Sequence, residues 1–595
     1  MGSIVLVMRL ALADVRRHRA QTAMLLLAVT VATATLALGL SLRGASDALY
    51  EQTRTATAGP DMVALSGDTG PAVTSALTSL ARAPEVTAHH GPYRIVYATL
   101  TTRDSTSSPV VVHGFAEKPA TLNRPLVTSG HWVRPGGTVL ERGFATALGA
   151  GVGDRVTIAG RPYPVVGIAV TAATPVYPGA AQIGPYGGPS DSTGLAWMTR
   201  SDARALASSQ DLPVTTAMDL KLRDPAATED FIDAHRDSTI RTNLHSWRFT
   251  AEQDMTVLRG SQPILIVGGW LLGFLAVTGV AALAAGRAVE QTRRAGLLKA
   301  VGAAPGLIAA VLLTEYLAAA LTGDALGLAV ARLTMPAVAS PTTSRIGAAG
   351  LTGPTVATAT VLAVAVAVLS TLRPTLRAMR AATVTALTAT AHRPRHRPRL
   401  TALSALLPTP LLLGLRLTAR RPGRAVLQAC STATTVIAVV ALLTLHAQPE
   451  RGYGLDGSSA LPNLRGEHGR HLMLAVTVLL IALAIVNTLT FTWSTAMEAR
   501  ANMAVARTLG ATPGQISAGL SAAQLLPALP GAIIGVPLSA ALLSIFAAPN
   551  AVDLPSSWLL AGVLATLLAT AALTALPALL AARRPVAQTL SAETT

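Results

Sequence analysis

The sequence is poor in charge, aromatics, lysine and cysteine. Charged residues are 13% of its 595 positions, against about 25% in a soluble domain. That shortage argues against a soluble enzyme, a disordered chain or a coiled coil. Cys430 is the one cysteine, which excludes an internal disulfide framework and a cysteine-based zinc site. Aromatics are 4%, too few for the base-stacking face of a nucleic-acid binder, so no nucleic-acid partner is expected. Lysine occurs only as Lys118, Lys221 and Lys299. No G-x-x-x-x-G-K-[ST] run occurs, so the chain has no Walker A loop for ATP.

Apolar residues, by contrast, are 51%, and mean hydropathy is +0.48. A bilayer-spanning helix needs ~20 mostly apolar residues. Eight segments qualify: 21–43, 263–286, 307–333, 353–372, 424–446, 472–494, 516–546 and 557–582. The first is too long for a signal-peptide core. Segment 516–546 contains Pro527, Pro530 and Pro537, so a tilt or kink is expected there.

Charge placement orients these spans. Residues 44–260 carry 18 Lys/Arg against 20 Asp/Glu, net −2, so the remainder carries +19 of a chain total of +17. Arg287, Arg293, Arg294 and Lys299 lie between spans two and three. A run of arginines from Arg373 to Arg424 separates spans four and five, Arg500 follows span six, and Arg583 and Arg584 follow span eight. The positive-inside rule then places both termini in the cytoplasm of a multi-pass membrane protein.

The stretch 44–262 would lie outside as an α+β domain. Alternating or β-branched runs at 95–102, 110–115, 155–160 and 163–170 predict strands. Segments 141–149 and 227–235 predict short helices. Segment 171–193 is rich in Gly and Pro and reads as a long loop, either contacting a substrate or partner or forming a disordered insertion.

The second half repeats the first at an offset near 208 residues. Glu290/Glu498, Gly302/Gly510, Ala303/Ala511, Pro305/Pro513, Gly306/Gly514 and Ile308/Ile516 coincide, with Lys299 opposite Arg507. The register continues through Gly323/Gly531 and Gly327/Gly535. Pro374/Pro577, Leu376/Leu579, Arg380/Arg583 and Leu387/Leu590 match after spans four and eight. The lead-in segments agree more loosely, through Leu12/Leu417, Arg16/Arg421 and Arg19/Arg424.

The expected organisation follows from these features. Residues 1–43 form a lead-in helix and the first span, 44–262 the extracytoplasmic core domain, and 263–390 the first permease repeat. Residues 391–423 form a basic cytoplasmic linker and a second lead-in helix, 424–471 the fifth span and a short outer loop, and 472–595 the second repeat. The linker stretch 391–399 could hold anionic lipid headgroups, although a solvated linker obeying the positive-inside rule is the preferred reading.

Around Gly302 a charged helical run meets a natural helix stop, and Pro305 suits the start of the next helix. Such a corner can pass a push from a soluble partner into the membrane, and its recurrence at Gly510 favours a function over an ordinary loop. Gly323-x-x-x-Gly327 and Gly531-x-x-x-Gly535 fit close helix packing. Glu315 and Asp324 sit inside a span and are functional candidates. Nine residues at ~100° each put them on opposite helix faces, so they are no paired proton relay. His89, His90, His392 and His396 read as surface histidines.

The run LLKAVGAAPGLI with the following LLTEYLAAALTGDALGLAVA resembles an FtsX-like ABC-transporter permease domain. Relatives include macrolide-exporter and lipoprotein-releasing permeases. The outer VLERGFATALGAGVGDRVTIAGRPYPVVGIAV resembles that family's periplasmic core domain. The resemblance covers both four-span units and much of the outer domain. It implies coupling helices docked on separate ABC ATPase subunits, two of them if each half takes one. The docking residues would be Glu290, Arg294, Lys299, Gly302, Ala303 and Pro305, and Glu498, Arg507, Gly510, Thr512 and Pro513. It implies no cofactor in this chain, with ATP and magnesium bound by the partner. Glu315 matches a glutamate that the family often carries early in the third span. The second half has Ala523 there, next to Gln524.

The expected fold is thus a polytopic α-helical membrane protein, eight transmembrane helices in two four-helix repeats with one α+β extracytoplasmic domain. The expected function is a non-catalytic permease subunit that exports or extracts an amphiphile such as an antibiotic, lipid or lipoprotein. Mechanical signalling to an extracytoplasmic partner such as a cell-wall hydrolase is one alternative. A secondary transporter driven by an ion gradient is another, although parallel repeats and sparse midplane charge count against it.

Overall fold

A computed structural model describes residues 19–177, 181–183, 189–191, 194–235, 242–286, 305–339, 344–347, 350–380, 408–420, 422–447, 461, 464–498, 506, 508–546 and 555–582. The first helix, α1 (Arg19–Ala56), leads into the α+β domain. That domain runs β1 (Met62–Ser66), α2 (Pro71–Ala81), β2 (Val86–Thr101), β3 (Ser107–Phe115), β4 (Leu126–Gly130) and β5 (Thr138–Glu141). It continues with α3 (Arg142–Leu148), β6 (Arg155–Ile158), β7 (Arg161–Val170), β8 (Ala181–Ile183), β9 (Pro189–Asp191) and β10 (Gly194–Thr199). Next come α4 (Arg200–Gln210), β11 (Val214–Leu222), α5 (Thr228–Ala234) and β12 (Asn243–Ser246). The remaining helices among the described residues are α6 (Trp247–Gly286), α7 (Pro305–Ala339), α8 (Gly353–Arg380), α9 (Thr409–Arg420), α10 (Pro422–Ala447), α11 (Leu464–Glu498), α12 (Pro513–Phe546) and α13 (Ser556–Ala582).

Among the described residues, seven helices hold stretches long and apolar enough to cross a membrane: Leu25–Leu42, Ser261–Ala282, Tyr316–Val338, Pro422–Thr444, Glu467–Thr495, Gly514–Leu542 and Ser556–Ala575. The remaining predicted span, 353–372, lies in α8, whose apolar stretch Gly353–Leu369 is shorter than these seven. The chain is therefore a multi-pass membrane protein. Pro527, Pro530 and Pro537 all sit inside the single helix α12.

Two helices run well past their predicted span limits. The first was expected to end near 43 and continues to Ala56. The second was expected to begin near 263 and begins at Trp247. Their polar extensions are held by contacts with the α+β domain that no local pattern displays.

The domain's main sheet follows the order β12-β1-β11-β2-β3-β10-β5-β7-β4, with β6 pairing both β2 and β7. The strands β2, β3, β10, β5, β7 and β6 thereby close on themselves. Closure removes the free edges that an open sheet would expose. The closed part is filled by Val96, Leu100, Val112, Leu140, Ile158 and Met198, with Phe144 of α3 buried among them. The predicted strands and both predicted short helices are present. Segment 171–193 is not one long loop. Thr171, Ala172, Ala173, Val176 and Tyr177 are buried, and β8 and β9 form a small hairpin. Gly and Pro signal irregular backbone, but not whether that backbone is packed.

The Gly-x-x-x-Gly pairs make matching contacts. A Cβ built on Gly323 of α7 would lie 3.1 Å from the Leu26 carbonyl oxygen of α1, and one on Gly327 would lie 2.7 Å from that of Thr30. On α12, Gly531 meets the Ala429 carbonyl of α10, and a Cβ on Gly535 would lie 3.0 Å from that of Ala433. Leu26 thus stands to Gly323 as Ala429 stands to Gly531, two residues off the register suggested by Leu12/Leu417. Missing side chains let these backbones approach closely, which is how helices associate without a hydrophobic driving force in lipid.

Candidate functional site

The corner at Gly510 is built from local backbone rules. Gly510 has φ of 95°, a left-handed conformation open to glycine at little cost. The Ala511 N–H donates to the Ala506 carbonyl at 3.0 Å, the long-range bond of a Schellman helix end. Two residues on, Thr512 caps the next helix. The Gln515 N–H donates to Thr512 Oγ1 at 3.2 Å, and the Thr512 N–H donates to Gln515 Oε1 at 3.1 Å. This reciprocal pair is a capping box, and Pro513 takes the first helical position that its ring prefers. One helix therefore stops and the next starts within a few residues, the first closed by the Ala511 N–H and the second opened by the Thr512–Gln515 pair. Leu509 stands 83% exposed beside the glycine.

Leu509 was not among the predicted site residues. Its signal was present, since an apolar residue precedes the glycine in both copies, as Val301 and Leu509. The capping box is unequal in the two copies, because Ala304 and Leu307 occupy the places of Thr512 and Gln515.

Glu290, Arg294, Lys299, Gly302, Ala303 and Arg507 lie outside the described residues. Pro305 opens α7, Glu498 closes α11 and Glu315 lies in α7, with their side chains outside the description. Asp324 is buried on α7 and accepts a hydrogen bond from Thr360 Oγ1 of α8 at 2.8 Å. It ties one helix to its neighbour.

A second constellation was invisible in the sequence. At the domain end of α1, Arg54 forms an ion pair with the fully buried Asp61. Asp61 also accepts from Lys221 Nζ at 3.0 Å and from the Leu222 N–H at 2.9 Å. The Arg54 guanidinium lies 4.5 Å from the centre of the Trp247 ring at the start of α6. Tyr50 stacks on the same indole and donates from its hydroxyl toward the carbonyls of Ala172 and Trp247. Burial pushes the Tyr50 phenol up to about 12. The segment between α7 and α8 joins this collar. Arg345 donates to the Thr171 carbonyl and lies 5.4 Å from the Tyr50 ring, while the Ile346 N–H donates to Thr53 Oγ1 at 3.1 Å. Burial lowers the Arg345 guanidinium to about 10. Segments far apart in sequence thus lock α1, α6 and the α7–α8 connection to one face of the domain.

Beside the collar, a cavity is lined by Tyr93, Tyr97, His113, Trp197, His245 and Phe249. His90 is not a surface histidine. It is buried, pairs with Asp219 at 3.1 Å and packs against Tyr93 and Phe115. Its partner carboxylate comes from β11, far away in sequence, while neighbouring His89 is exposed.

With this geometry in place, two family descriptions match the chain. The MacB-like periplasmic core domain covers residues 22–238, and the FtsX-like permease C-terminal covers residues 474–586. The chain is an FtsX-like ABC permease. No curated protein matches it. Among solved structures, the permease overlaps the extracellular domain of the noncanonic ABC-type transporter YknZ from Gram-positive bacteria. Identity is 9%, the overlap covers 31% of this chain and 100% of that one, and the TM-score is 0.20. It also overlaps a domain of a putative permease protein from Porphyromonas gingivalis. There identity is 14%, coverage is 32% of this chain and 88% of the other, and the TM-score is 0.18.

Two outcomes are expected from the collar and the cavity. Asp61→Ala in the permease leaves the Arg54 charge uncompensated in a buried site and should cost about 3–5 kcal/mol, read as a lowered denaturation midpoint. Burial, reinforced by His90, pushes the His113 imidazole down from 6.5 to about 3. The unfolded chain takes up that proton near pH 6.5, whereas the folded domain resists it until about 3. The stability is fully present above pH 6.5 and lost as pH falls toward 3, at about 1.4 kcal/mol per unit. Denaturation of the full chain in detergent should show about 2 kcal/mol lost between pH 6.5 and pH 5, with a flatter profile in His113→Phe.

Proposed function

We propose that this permease couples ATP hydrolysis by two separate ABC ATPase subunits to the export or extraction of an amphiphile such as an antibiotic, lipid or lipoprotein. In this reading eight spans form two four-helix halves, both termini are cytoplasmic and the α+β domain lies outside. The matching Gly-x-x-x-Gly contacts support paired halves.

The observation that carries the proposal is the corner from Leu509 to Gln515. A helix stop and a helix start held by their own hydrogen bonds across a tight turn move as a unit, so a displacement at Leu509 would reach α12 instead of being absorbed. Leu509 is the apolar knob an ATPase groove would take up, and Glu498, Arg507, Thr512 and Pro513 are the docking residues near it in sequence. Glu290, Arg294, Lys299, Gly302, Ala303 and Pro305 form the first-half counterpart.

The outer end of the path is the collar. The helices α1 and α6 run from the bilayer into its buried ion pair without a break, which favours mechanical transmission into the outer domain. The same continuity supports a second output, in which the domain relays motion to an outer partner such as a cell-wall hydrolase. Added amphiphile should raise ATPase turnover in the first case. In the second, only the outer partner should do so.

A β-branched side chain at Gly510 would strain the corner by on the order of 1–2 kcal/mol or more. Gly510→Val and Leu509→Asp should reduce permease-dependent stimulation of the partner ATPase while leaving the protein in the membrane. Full stimulation in a Gly302→Val, Gly510→Val double variant at normal expression would return the ion-driven reading. Native mass spectrometry should find one permease with two ATPases. For orientation, cysteines at Ser190 and Ser458 should react with an impermeant maleimide in intact cells, and one at Ser591 should not.

A further inference from the structure

The contact between α6 and α11 has a register of its own. Gly268 of α6 faces Val476 of α11, with 3.4 Å between a Cβ built on the glycine and the valine Cβ. Eleven residues on, Gly279 faces Asn487, whose side-chain carbon would lie 2.9 Å from a Cβ built on that glycine. Equal spacing on both helices means that they run parallel. Between these points lie Leu272 and Leu275 on α6 and Leu480 and Leu483 on α11, all buried. The spacing is the four–three–four alternation of a coiled-coil seam.

The offset that carries Gly302 onto Gly510 also carries Gly268 onto Val476 and Gly279 onto Asn487. Each seam residue therefore faces its own counterpart from the other half. In a two-fold assembly only residues on the axis do so. The paired residues are nevertheless unlike. The first half supplies holes at Gly268 and Gly279, and the second half fills them with Val476 and Asn487. Asn487 is buried and donates from Nδ2 to the Leu275 carbonyl at 2.9 Å.

We infer that the α6–α11 seam is a steric key that pairs a first half with a second half and rejects the pairing of like halves from two copies. Two α11 helices at this separation would set Val476 against Val476 and Asn487 against Asn487 with no hole for either. Two α6 helices would leave paired voids and no hydrogen bond to fix the register. The proposal rests on the paired-halves reading above and adds the residues that specify the pairing.

The test uses the full chain carrying Cys430→Ser and a protease site inserted within 391–399. Gly268→Cys with Val476→Cys places the two Cβ atoms close to the separation a disulfide needs. Oxidation in membranes should link the halves within one chain, so that cleaved fragments stay joined until reduced. Val476→Cys alone should give no linked dimer. Adding Gly279→Asn should slow linking at least about tenfold, and adding Asn487→Gly to that variant should restore it to within about twofold. Dimers from Val476→Cys alone, an unimpaired Gly279→Asn variant, or a swap that does not restore linking would each overturn the key. Should the Gly279→Asn variant fail to accumulate, the swapped variant must both accumulate and link for the key to stand. No ATPase enters this readout, so failure of ATP coupling leaves the result standing. Loss of the link leaves ATP coupling to its own test.

Discussion

The clamp around Asp61 is the interaction on which the rest of the arrangement depends. Its carboxylate is fully buried and holds Arg54, Lys221 and a backbone N–H of β11 together. A charge taken out of water is tolerable only when paired and hydrogen-bonded on all sides. Each partner is thereby fixed by the others. Arg54 lies in the last turn of α1, and the Trp247 ring beneath it begins α6. The membrane bundle and the domain are joined through these two helices, and the bound Arg345 segment adds a third attachment.

The two halves share their Gly-x-x-x-Gly crossings but differ in the side chains and insertions around them. The large domain is inserted only in the first. The capping box at Thr512 and Gln515 exists only in the second, and the seam sets glycines against Val476 and Asn487. Asp324 of α7 bonds to Thr360, whereas its counterpart is Ala532, buried among the helices α10 and α13. The shared backbone plan is maintained by small residues at the crossings. The differences sit in side chains that a symmetric pair of copies could not accommodate.

The corner and the collar differ in how far they could be read. Gly510, Thr512 and Pro513 act through neighbouring residues, so their roles follow from local rules of helix stop and start. Arg54, Asp61, Tyr50, Trp247 and Arg345 come from segments up to about three hundred residues apart, and none carries a motif. His90 shows the same limit. Its pairing with Asp219 depends on how β2 lies against β11, and one residue away His89 faces outward.

The sequence by itself determined the class of protein, the apolar segments, the repeat, the corner at Gly510 and the strands of the domain. Those features follow from composition, periodicity and backbone conformation, which act over a few residues or a single helix. Only the tertiary structure decided that β6 closes the sheet, that 171–173 and 175–177 are buried, and that α1 and α6 continue into a charged clamp. It alone brought Gly268 and Gly279 against Val476 and Asn487. Burial and steric fit depend on what arrives from elsewhere in the chain, and local pattern carries no record of it.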